Sequence, residues 1–343
     1  MKFLKKKLNL KPLIIAEVGQ NHQGDFNLAK KYVNVFAKAG ADIIKFQSRN
    51  NKSLFDKNAY NAIYNNENSF GKTYGEHREK LELTKNELKA LIKECKKNKV
   101  AFMCTPFNEE SLNLICEIGV DLIKIASFDL GNLPFINKIV KKNKTVVISV
   151  GGGNDKQIKE SIKLLQKNKI QTIILHCVSE YPCEYNRLGL EKISKLKKIF
   201  PKAIIGLSDH FNGILSGPIA YLQGARVFEK HVTLSRSWKG SDHSFALEPE
   251  GFRKFVRDIL RTPHMLKSKP TKEIGKESVF QRLGKSIIAI KKIQKGKKIL
   301  IDDLSGKIFL KQYIPVRESM NVINKVALRT IQKDEILSYK MIK

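Results

Sequence analysis

Residues 101–127 read AFMCTPFNEESLNLICEIGVDLIKIAS, and this stretch contains the pattern that decides the fold. It begins and ends with short apolar runs, 101–107 and 122–127, whose length and composition are those of buried β-strands. Between them, residues 109–118 carry apolar side chains at the spacing of an amphipathic helix. Two buried strands joined by a helix are typical of parallel sheets, because a parallel pair needs a crossover connection.

The same strand–helix unit recurs from the first apolar run to about residue 260. Strands are predicted at 13–19, 42–47, 101–107, 122–127, 145–150, 172–179, 203–210 and 226–233. Helices are predicted at 26–39, 85–98, 109–118, 133–141, 154–167, 187–199, 214–223 and 249–261. Eight such units over about 250 residues predict an α/β protein with a closed (β/α)8 TIM barrel. An open, doubly wound sheet is the alternative, but AEVGQNHQGD (16–25), after the first strand, lacks the glycine fingerprint of a dinucleotide site.

Three segments lie outside this repeating strand–helix pattern. Residues 48–83 are far longer than a usual strand-to-helix loop, and we expect them to cross the mouth of the barrel. A polar linker with Lys and Pro, 263–284, then separates the barrel, 1–262, from a final segment, 285–343. The short apolar runs of that segment, broken by Lys-Gly and Asp-Asp turns, predict a small, mostly β domain. A domain of about 60 residues needs to pack on something for stability.

The chain is strongly basic, with 343 residues, 64 Lys and Arg, 33 Asp and Glu, and a net charge of +31 at pH 7. Such a balance is typical of nucleic-acid binders. Here the basic residues are mainly lysines, spread over the whole length and on the polar faces of the predicted helices. This favours a solvated lysine-rich surface and no nucleic-acid partner. With 42% hydrophobic residues, the composition excludes a disordered or disulfide-stapled chain.

The cysteines and the N-terminus indicate the compartment. The five cysteines have neither a CxxC pair nor zinc-finger spacing, and we interpret them as reduced thiols. Residues 1–10, MKFLKKKLNL, lack the apolar run of a signal peptide, and no stretch approaches the length of a membrane span. We therefore expect a cytoplasmic protein without a membrane partner.

Polar side chains gather at the predicted carboxyl ends of the strands, where the active site of such a barrel lies. Lys45 and Lys124 stand inside otherwise apolar runs, and a desolvated charge there needs an anionic partner. A structural salt bridge to a carboxylate is one interpretation. The other is a phosphate or carboxylate ligand, for which Ser127, Ser149 and Ser208 supply neutral donors.

Two histidines form a candidate metal site. His210 and His231 end the seventh and eighth strands, which are adjacent around the barrel, so both imidazoles can reach one point. Two histidines with open remaining positions suit Mn²⁺, Fe²⁺ or Zn²⁺ acting as a Lewis acid on a carbonyl oxygen. Asp209 and Asp242 are carboxylates expected nearby, whereas His176 lies further back in its strand and is interpreted as structural.

Seven segments, in order along the barrel, resemble the N-acetylneuraminate (sialic acid) synthase family, which condenses phosphoenolpyruvate with an amino-sugar aldehyde. They are AEVGQNHQGD (16–25), GADIIKFQS (40–48), CTPF (104–107), DLIKIAS (121–127), LHCVSEYP (175–182), IIGLSDH (204–210) and EKHVT (229–233). The segment KSIIAIKKIQKGKKI (285–299) resembles the start of the antifreeze-like (SAF) domain that completes such enzymes. The resemblance therefore covers nearly the whole chain.

The resemblance implies a nonulosonic acid synthase, with a metal-dependent, aldol-type formation of a carbon–carbon bond and release of phosphate. The residues that it assigns to phosphoenolpyruvate are Lys45, Thr105, Lys124, Ser127, Ser149 and Ser208. His210 and His231 would hold Mn²⁺, or else Mg²⁺ or Co²⁺. The positions that match contacts to the sugar or to metal-bound water are Glu17, Gln47, Tyr181 and Asp242, of which Glu17 and Asp242 are candidate catalytic groups. In such enzymes the small domain covers the barrel mouth of the partner subunit, which implies a domain-swapped homodimer.

The chain departs from the family pattern mainly on the sugar side. Asp129, in Ala126-Ser127-Phe128-Asp129, would act as a shorter catalytic carboxylate in place of the usual Glu. Ser179 stands where a sugar-facing Asn is common, and Arg317 is the nearby substitute for the arginine that reaches the partner's sugar. The acceptor therefore stays open between N-acetylmannosamine and a 6-deoxy diacetamido-hexose. The alternatives are a related phosphoenolpyruvate-dependent aldol synthase or lyase, and an anionic-polymer-binding protein on an inactive barrel.

Overall fold

The computed structural model describes residues 11–343, apart from the side chain of Lys272. Residues 1–10, where the sequence predicts no signal peptide, lie outside the described residues. The chain divides into two compact units, one ending at Leu266 and the other spanning Lys267–Lys343, and the division falls within the predicted linker. Among residues 11–343, no helix combines the length and the apolar character needed to cross a membrane.

The first unit contains a closed barrel of eight parallel strands in sequential order, which confirms the predicted fold. The strands are β1 (Leu13–Gly19), β2 (Ile43–Ser48), β3 (Ala101–Pro106), β4 (Leu122–Ile125), β5 (Thr145–Ser149), β6 (Thr172–Cys177), β7 (Ile204–Asp209) and β8 (Val227–His231). Each begins and ends within two residues of its predicted bounds. The pairing of β1 with β8 closes the barrel and places Glu17 opposite His231.

Helices follow every strand of the barrel. They are α1 (Phe26–Lys38), α2 (Asn51–Leu54), α3 (Lys57–Asn61), α4 (Tyr74–Lys80), α5 (Lys85–Lys97), α6 (Glu109–Glu117), α7 (Leu133–Val140), α8 (Asp155–Lys167), α9 (Glu191–Ile199), α10 (Ser216–Leu222) and α11 (Pro249–Met265). Local capping defines several starts; at α5, Thr84 and Glu87 cap each other's backbone N–H groups. The largest deviations from prediction are at α9, which starts late because Gly189 adopts φ +53°, and at α11, which continues past Pro263.

The alternation of side chains along the strands separates an apolar interior from a polar floor. The inward-facing apolar residues of the interior are Leu13, Ile15, Ile43, Met103, Leu122, Val147, Ile173, Leu175 and Val227. Outward-facing residues such as Ile14, Ile44 and Ile123 belong to the layer packed under the helices. Because successive strand residues point to opposite faces, the next inward position toward the carboxyl end is polar on most strands. These positions are Glu17, Lys45, Thr105, Lys124, Ser149, Cys177 and Glu229.

The long segment between β2 and α5 contains the short helices α2, α3 and α4. Its aromatic side chains pack around His77, whose ring centroid lies 4.6 Å from that of Tyr64 and 6.0 Å from that of Tyr74. Phe55 and Tyr74 also line a cavity together with Gln47 at the end of β2. The segment therefore lies over the barrel mouth, as its length predicts.

The second unit has its own apolar core and a small antiparallel sheet. Helix α12 (Ser278–Leu283) precedes strands β9 (Lys285–Ala289) and β10 (Leu304–Ile308), which pair with each other. Isolated bridges, such as Ala327 with Ile342, complete its β-structure. The buried core residues are Ile287, Ala289, Ile293, Ile299, Ile314, Val322, Ala327, Ile331, Leu337 and Ile342.

Candidate active site

A network of buried charges lies at the carboxyl ends of the strands, directly above the apolar interior. The Nζ atom of Lys45 lies 3.2 Å from Glu17 Oε1 and 3.0 Å from Glu229 Oε1. The Nζ atom of Lys124 lies 3.6 Å from the same oxygen of Glu229. All four side chains are no more than 4% exposed, and buried charges of this kind are tolerated only when they are matched. Two cations and two carboxylates therefore balance each other.

Glu229 is the centre of this network. Burial by itself raises the pKa of Glu229, but Lys124 and Lys45 outweigh burial and lower that pKa to about 2. Burial also opposes the charge on Lys45, yet its pKa is raised because Glu17 and Glu229 both face it. The pKa of Lys124 is lowered by burial, since this lysine faces Glu229 at a longer distance. Burial raises the pKa of Glu17 against the effect of Lys45, so Glu17 and Lys124 are the groups whose charged forms are least favoured here.

Hydroxyl groups surround the two lysines. Lys45 Nζ donates to Thr105 Oγ1 at 3.4 Å, and Ser208 Oγ donates to Glu229 Oε1 at 3.1 Å. The Oγ atom of Ser149 is buried and has no hydrogen-bond partner among the described residues, which leaves it available to a ligand. The structure brings all six residues assigned to phosphoenolpyruvate to the wall of one cavity: Lys45, Thr105, Lys124, Ser127, Ser149 and Ser208.

His210 and His231 line the same cavity, and their ring centroids are 5.4 Å apart. His210 Nδ1 donates to the carbonyl oxygen of Val178 at 2.7 Å, which orients the ring and leaves Nε2 as the free nitrogen. Burial lowers the pKa of His231 to about 3, although Asp242 acts in the opposite direction. This imidazole is therefore neutral near pH 7, as a metal ligand must be.

The donors around the two histidines fit a divalent cation with open coordination positions. Within residues 11–343, no group of three or more His, Cys, Asp or Glu side chains is arranged to enclose a metal ion. His231 Nδ1 is buried, lies 3.7 Å from Asp242 Oδ2 and has no hydrogen-bond partner in the described chain. The neutral imidazole of His231, the free Nε2 of His210 and a nearby carboxylate suit Mn²⁺ and similar ions, with substrate or water oxygens as further ligands.

Asp209 faces away from the histidines. Its carboxylate forms a fully buried salt bridge with Lys230, with Nζ and Oδ2 2.7 Å apart. Because neighbouring strand residues face opposite sides, Asp209 and Lys230 point outward while Ser208 and Glu229 point into the barrel. The expectation that Asp209 lies beside the histidines is therefore wrong. Asp242 is the carboxylate that lies next to His231.

Residues assigned to the sugar line a wider cavity above the charged network. Gln47, Tyr181 and Asp242 all contribute to its wall. Gln47 Nε2 donates to Glu17 Oε1 at 2.7 Å and so connects this wall to the floor. The ring of Tyr181 lies 4.1 Å from that of His210 and is 44% exposed, which leaves it accessible from the barrel mouth.

Two predicted site residues do not line either cavity of the barrel, and a third belongs to the second unit. The carboxylate of Asp129 accepts a hydrogen bond from Asn132 Nδ2 at 2.9 Å. Neither Asp129 nor Ser179 lines the lower or the upper cavity in the described part of the chain. The Oγ atom of Ser179 is buried and has no hydrogen-bond partner among the described residues. Arg317 belongs to the second unit, where its Nη1 donates to the carbonyl oxygen of Gly275 at 2.8 Å. The sugar and catalytic roles of these residues stay predictions.

Three charged residues of the two cavities have no assigned role in the sequence-based prediction. Glu229 lies two residues before His231 in the strand segment RVFEKHVT (226–233). Because every second strand residue faces the same side, this spacing is a signal that could have placed Glu229 inside the barrel. Arg49 and Arg78 line the upper cavity. They belong to the irregular segment after β2, where no hydrophobic period fixes the direction of a side chain.

Comparisons with known proteins show the family of the chain. The NeuB family model matches residues 32–271. N-acetylneuraminate-9-phosphate synthase from Homo sapiens is 33% identical over 96% of this chain and 92% of its own length. N,N'-diacetyllegionaminic acid synthase from Campylobacter jejuni is 37% identical over 95% of this chain and 99% of its own length. The crystal structure of N-acetylneuraminic acid synthetase from Leptospira borgpetersenii superposes with a TM-score of 0.69 and 32% identity, over 77% of this chain and 89% of that chain. The chain belongs to the NeuB family of nonulosonic acid synthases, as its sequence motifs predict.

Proposed function

We propose that this protein joins phosphoenolpyruvate to the aldehyde carbon of an N-acetylated amino sugar and releases phosphate. One observation carries the proposal: two buried lysines and their hydroxyl neighbours share a cavity with two histidines at the mouth of a NeuB-family barrel. The lysines suit the anionic substrate and the histidines suit a Lewis-acidic metal ion. The acceptor is N-acetylmannosamine or a related hexose. Its phosphorylation stays open, since the names of the relatives include products with and without a phosphate group.

Phosphoenolpyruvate binds beside Lys45 and Lys124, with Thr105, Ser127, Ser149 and Ser208 as neutral donors. In the free protein both lysines are paired with Glu229, and Lys45 is also paired with Glu17. An incoming anion competes with these carboxylates for the same ammonium groups. Binding is favoured if Glu17 takes up a proton, and its raised pKa, caused mainly by burial, makes that uptake easier.

The bond-forming step uses the electron pair of the enol double bond of phosphoenolpyruvate. C3 attacks the aldehyde carbon, and the aldehyde oxygen takes up a proton. Water then adds to C2 and loses a proton, and phosphate leaves with the electron pair of the C2–O bond while the new C2 hydroxyl becomes a ketone. Glu17 lies in the cavity wall and is our candidate for carrying these protons, with Asp242 and Asp129 as further candidate carboxylates.

We further propose that His210 and His231 hold a divalent ion, Mn²⁺ in the first place and Mg²⁺ or Co²⁺ as alternatives. When bound there, it would polarise the acceptor's carbonyl oxygen as a Lewis acid. The unpartnered Nδ1 of buried His231 supports this assignment. The contact of His210 with the Val178 carbonyl also supports it, because metal-binding histidines are usually oriented by such a second hydrogen bond.

We propose a homodimer in which the second unit of one subunit completes the site of its partner, with Arg317 as the contributed side chain. Exposed apolar side chains of that unit support an interface: Ile301, Leu310 and Met320 are 67%, 109% and 79% exposed. Mixing a His231→Ala chain with an Arg317→Ala chain tests the exchange. Recovered activity in the mixed dimers supports shared sites, and none in a sample proven to contain mixed dimers contradicts them.

A cytoplasmic location is part of the proposal. The described chain has five free cysteines, at positions 95, 104, 116, 177 and 183, and four of them are buried. Free thiols in this number persist in a reducing compartment, whereas secreted proteins tend to pair them.

Phosphate release from phosphoenolpyruvate in the presence of Mn²⁺ tests the function directly. Each acceptor of a panel is supplied in turn, and the product mass is measured by mass spectrometry. A product whose mass equals that of both substrates plus water minus phosphate supports the synthase. A Lys124→Met chain is the negative variant and Lys254→Met, at an exposed lysine of α11, is its matched control. Phosphate release without a coupled product would instead favour a lyase or phosphatase reaction.

A further inference from the structure

Two arginines line the cavity above the reacting centre, and the function proposed so far uses neither. The side chain of Arg49 is 7% exposed and lies over the ring of Phe107, with Cζ 3.9 Å from the ring centroid. Its Nη1 donates to Glu82 Oε1 at 3.3 Å, and its backbone N–H donates to Glu82 Oε2 at 3.0 Å. Glu82 therefore holds Arg49 in place.

Arg78 has no such partner. Among the described residues no carboxylate lies within salt-bridge distance of its guanidinium. The guanidinium lies over the ring of Tyr74, with Cζ 4.9 Å from the ring centroid, and it donates to the hydroxyl of the same tyrosine. Its Nε atom is buried and has no hydrogen-bond partner in the described chain. A buried charged donor without a partner is costly, and a stacked guanidinium keeps its N–H edge free for a planar or tetrahedral anion.

The two guanidinium groups lie close enough to affect each other. The pKa of Arg49 is lowered mainly by burial; Glu82 raises it, and the positive charge of Arg78 lowers it further. Asp242 lines the same cavity, but it lies against His231 on the side of the metal site. The arginine side of the cavity therefore carries two cations against one carboxylate.

The position of these arginines defines which end of the acceptor they meet. Gln47 donates to Glu17 on the floor and accepts a hydrogen bond from Arg49 above it. An acceptor whose aldehyde lies beside the histidines thus extends its far end past Gln47 toward the arginines. Phe55, Tyr74 and Phe128 give this part of the cavity apolar walls, so the arginines are its main cationic donors.

We propose that Arg78, with Arg49 beside it, binds an anionic group, phosphate ester or carboxylate, at the end of the acceptor sugar remote from the aldehyde. This inference rests on the proposed synthase function and narrows its substrate class to charged amino sugars. Arg78 makes the direct contact, because its buried Nε has no hydrogen-bond partner among the described residues. Arg49 shapes the site and adds charge while Glu82 holds it.

The test compares three acceptors in the full-length protein: N-acetylmannosamine, its 6-phosphate and its 6-carboxylate (uronic acid) form. Steady-state kcat/KM is measured for each with saturating phosphoenolpyruvate and Mn²⁺. We expect the unsubstituted protein to prefer one of the anionic acceptors, and the better of the two identifies the anion. In Arg78→Gln the ratio of kcat/KM for that acceptor over the neutral sugar should fall by about 10- to 100-fold, mainly through KM, as expected for a lost charge-assisted contact.

The variants separate a binding role from a structural one. Arg78→Lys keeps the charge and should recover part of the preference. Arg253→Gln, at an exposed arginine of α11, should leave the ratio unchanged. Equal or better use of the neutral sugar by the unsubstituted protein, or an unchanged ratio in a folded Arg78→Gln chain, would overturn the proposal.

A binding measurement distinguishes failure of this inference from failure of the proposed function. Isothermal titration of the unsubstituted protein and of Arg78→Gln with the sugar 6-phosphate and with the uronic acid needs no turnover. If no acceptor is consumed, the synthase proposal fails; binding of either anionic sugar that weakens at least about 10-fold in Arg78→Gln still supports the anion site. Binding of neither sugar, or equal binding to both proteins, overturns it.

Discussion

Replacing Glu229 with glutamine removes the carboxylate that both buried lysines share. Its Oε1 lies 3.0 Å from Lys45 Nζ and 3.6 Å from Lys124 Nζ. Glutamine keeps the size of the side chain but leaves two buried cations facing Glu17 alone. Leaving a buried charge without its partner costs about 3–5 kcal/mol. At about 2–4 °C per kcal/mol for a domain of this size, the Tm should fall by about 6–20 °C.

Thermal unfolding followed by circular dichroism in a phosphate-free buffer measures this change. About 10 mM phosphoenolpyruvate should raise the Tm of Glu229→Gln more than that of the unsubstituted protein, because the ligand supplies the missing negative charge. Glu250→Gln is the control, since Glu250 is exposed and its ion pairs with Arg253 and Lys254 lie on the surface. A Tm for Glu229→Gln within about 2 °C of the unsubstituted protein would refute the assignment of Glu229 as the partner of both lysines.

Further substitutions test the metal site, the anion site and the barrel itself. His231→Ala should abolish Mn²⁺-dependent phosphate release with little change in the circular dichroism spectrum, and full turnover would remove His231 from the metal site. Lys124→Met should raise the KM for phosphoenolpyruvate at least about 10-fold in steady-state assays, and an unchanged KM would leave Lys124 a purely structural role. Gly206→Ala should lower the midpoint of urea unfolding, because its Cβ would lie 2.2 Å from the carbonyl oxygen of Val227, and an unchanged midpoint would show that β7 and β8 can separate.

The order of elements could be predicted from the sequence because it depends on local patterns. Apolar runs mark the strands, and each of the eight barrel strands lies within two residues of its predicted bounds. At one of the two missed boundaries a single residue accounts for the difference: Gly189, with φ +53°, delays the start of α9. The spacing of hydrophobic residues does not reveal the backbone conformation of a single glycine.

Much of the site could also be predicted, because strand alternation places every second residue on the inside. The six residues assigned to phosphoenolpyruvate and the two histidines share one cavity, since they end strands whose carboxyl ends meet at one rim. Asp209 shows the limit of reading proximity from sequence. It is the neighbour of His210 in the chain, yet it points outward to Lys230.

By itself the sequence determined the barrel, the family motifs and the identity of the buried lysines and histidines. These depend on local periodicity and on motifs that can be recognised in the amino-acid sequence alone. Only the tertiary structure decided the pairings across the chain. Closure of β1 on β8 and the register of the strands bring Glu17 and Glu229 to Lys45, and the fold of the segment after β2 brings Arg49 and Arg78 to the mouth. Such contacts join residues far apart in sequence, and no local pattern encodes which charge will meet which.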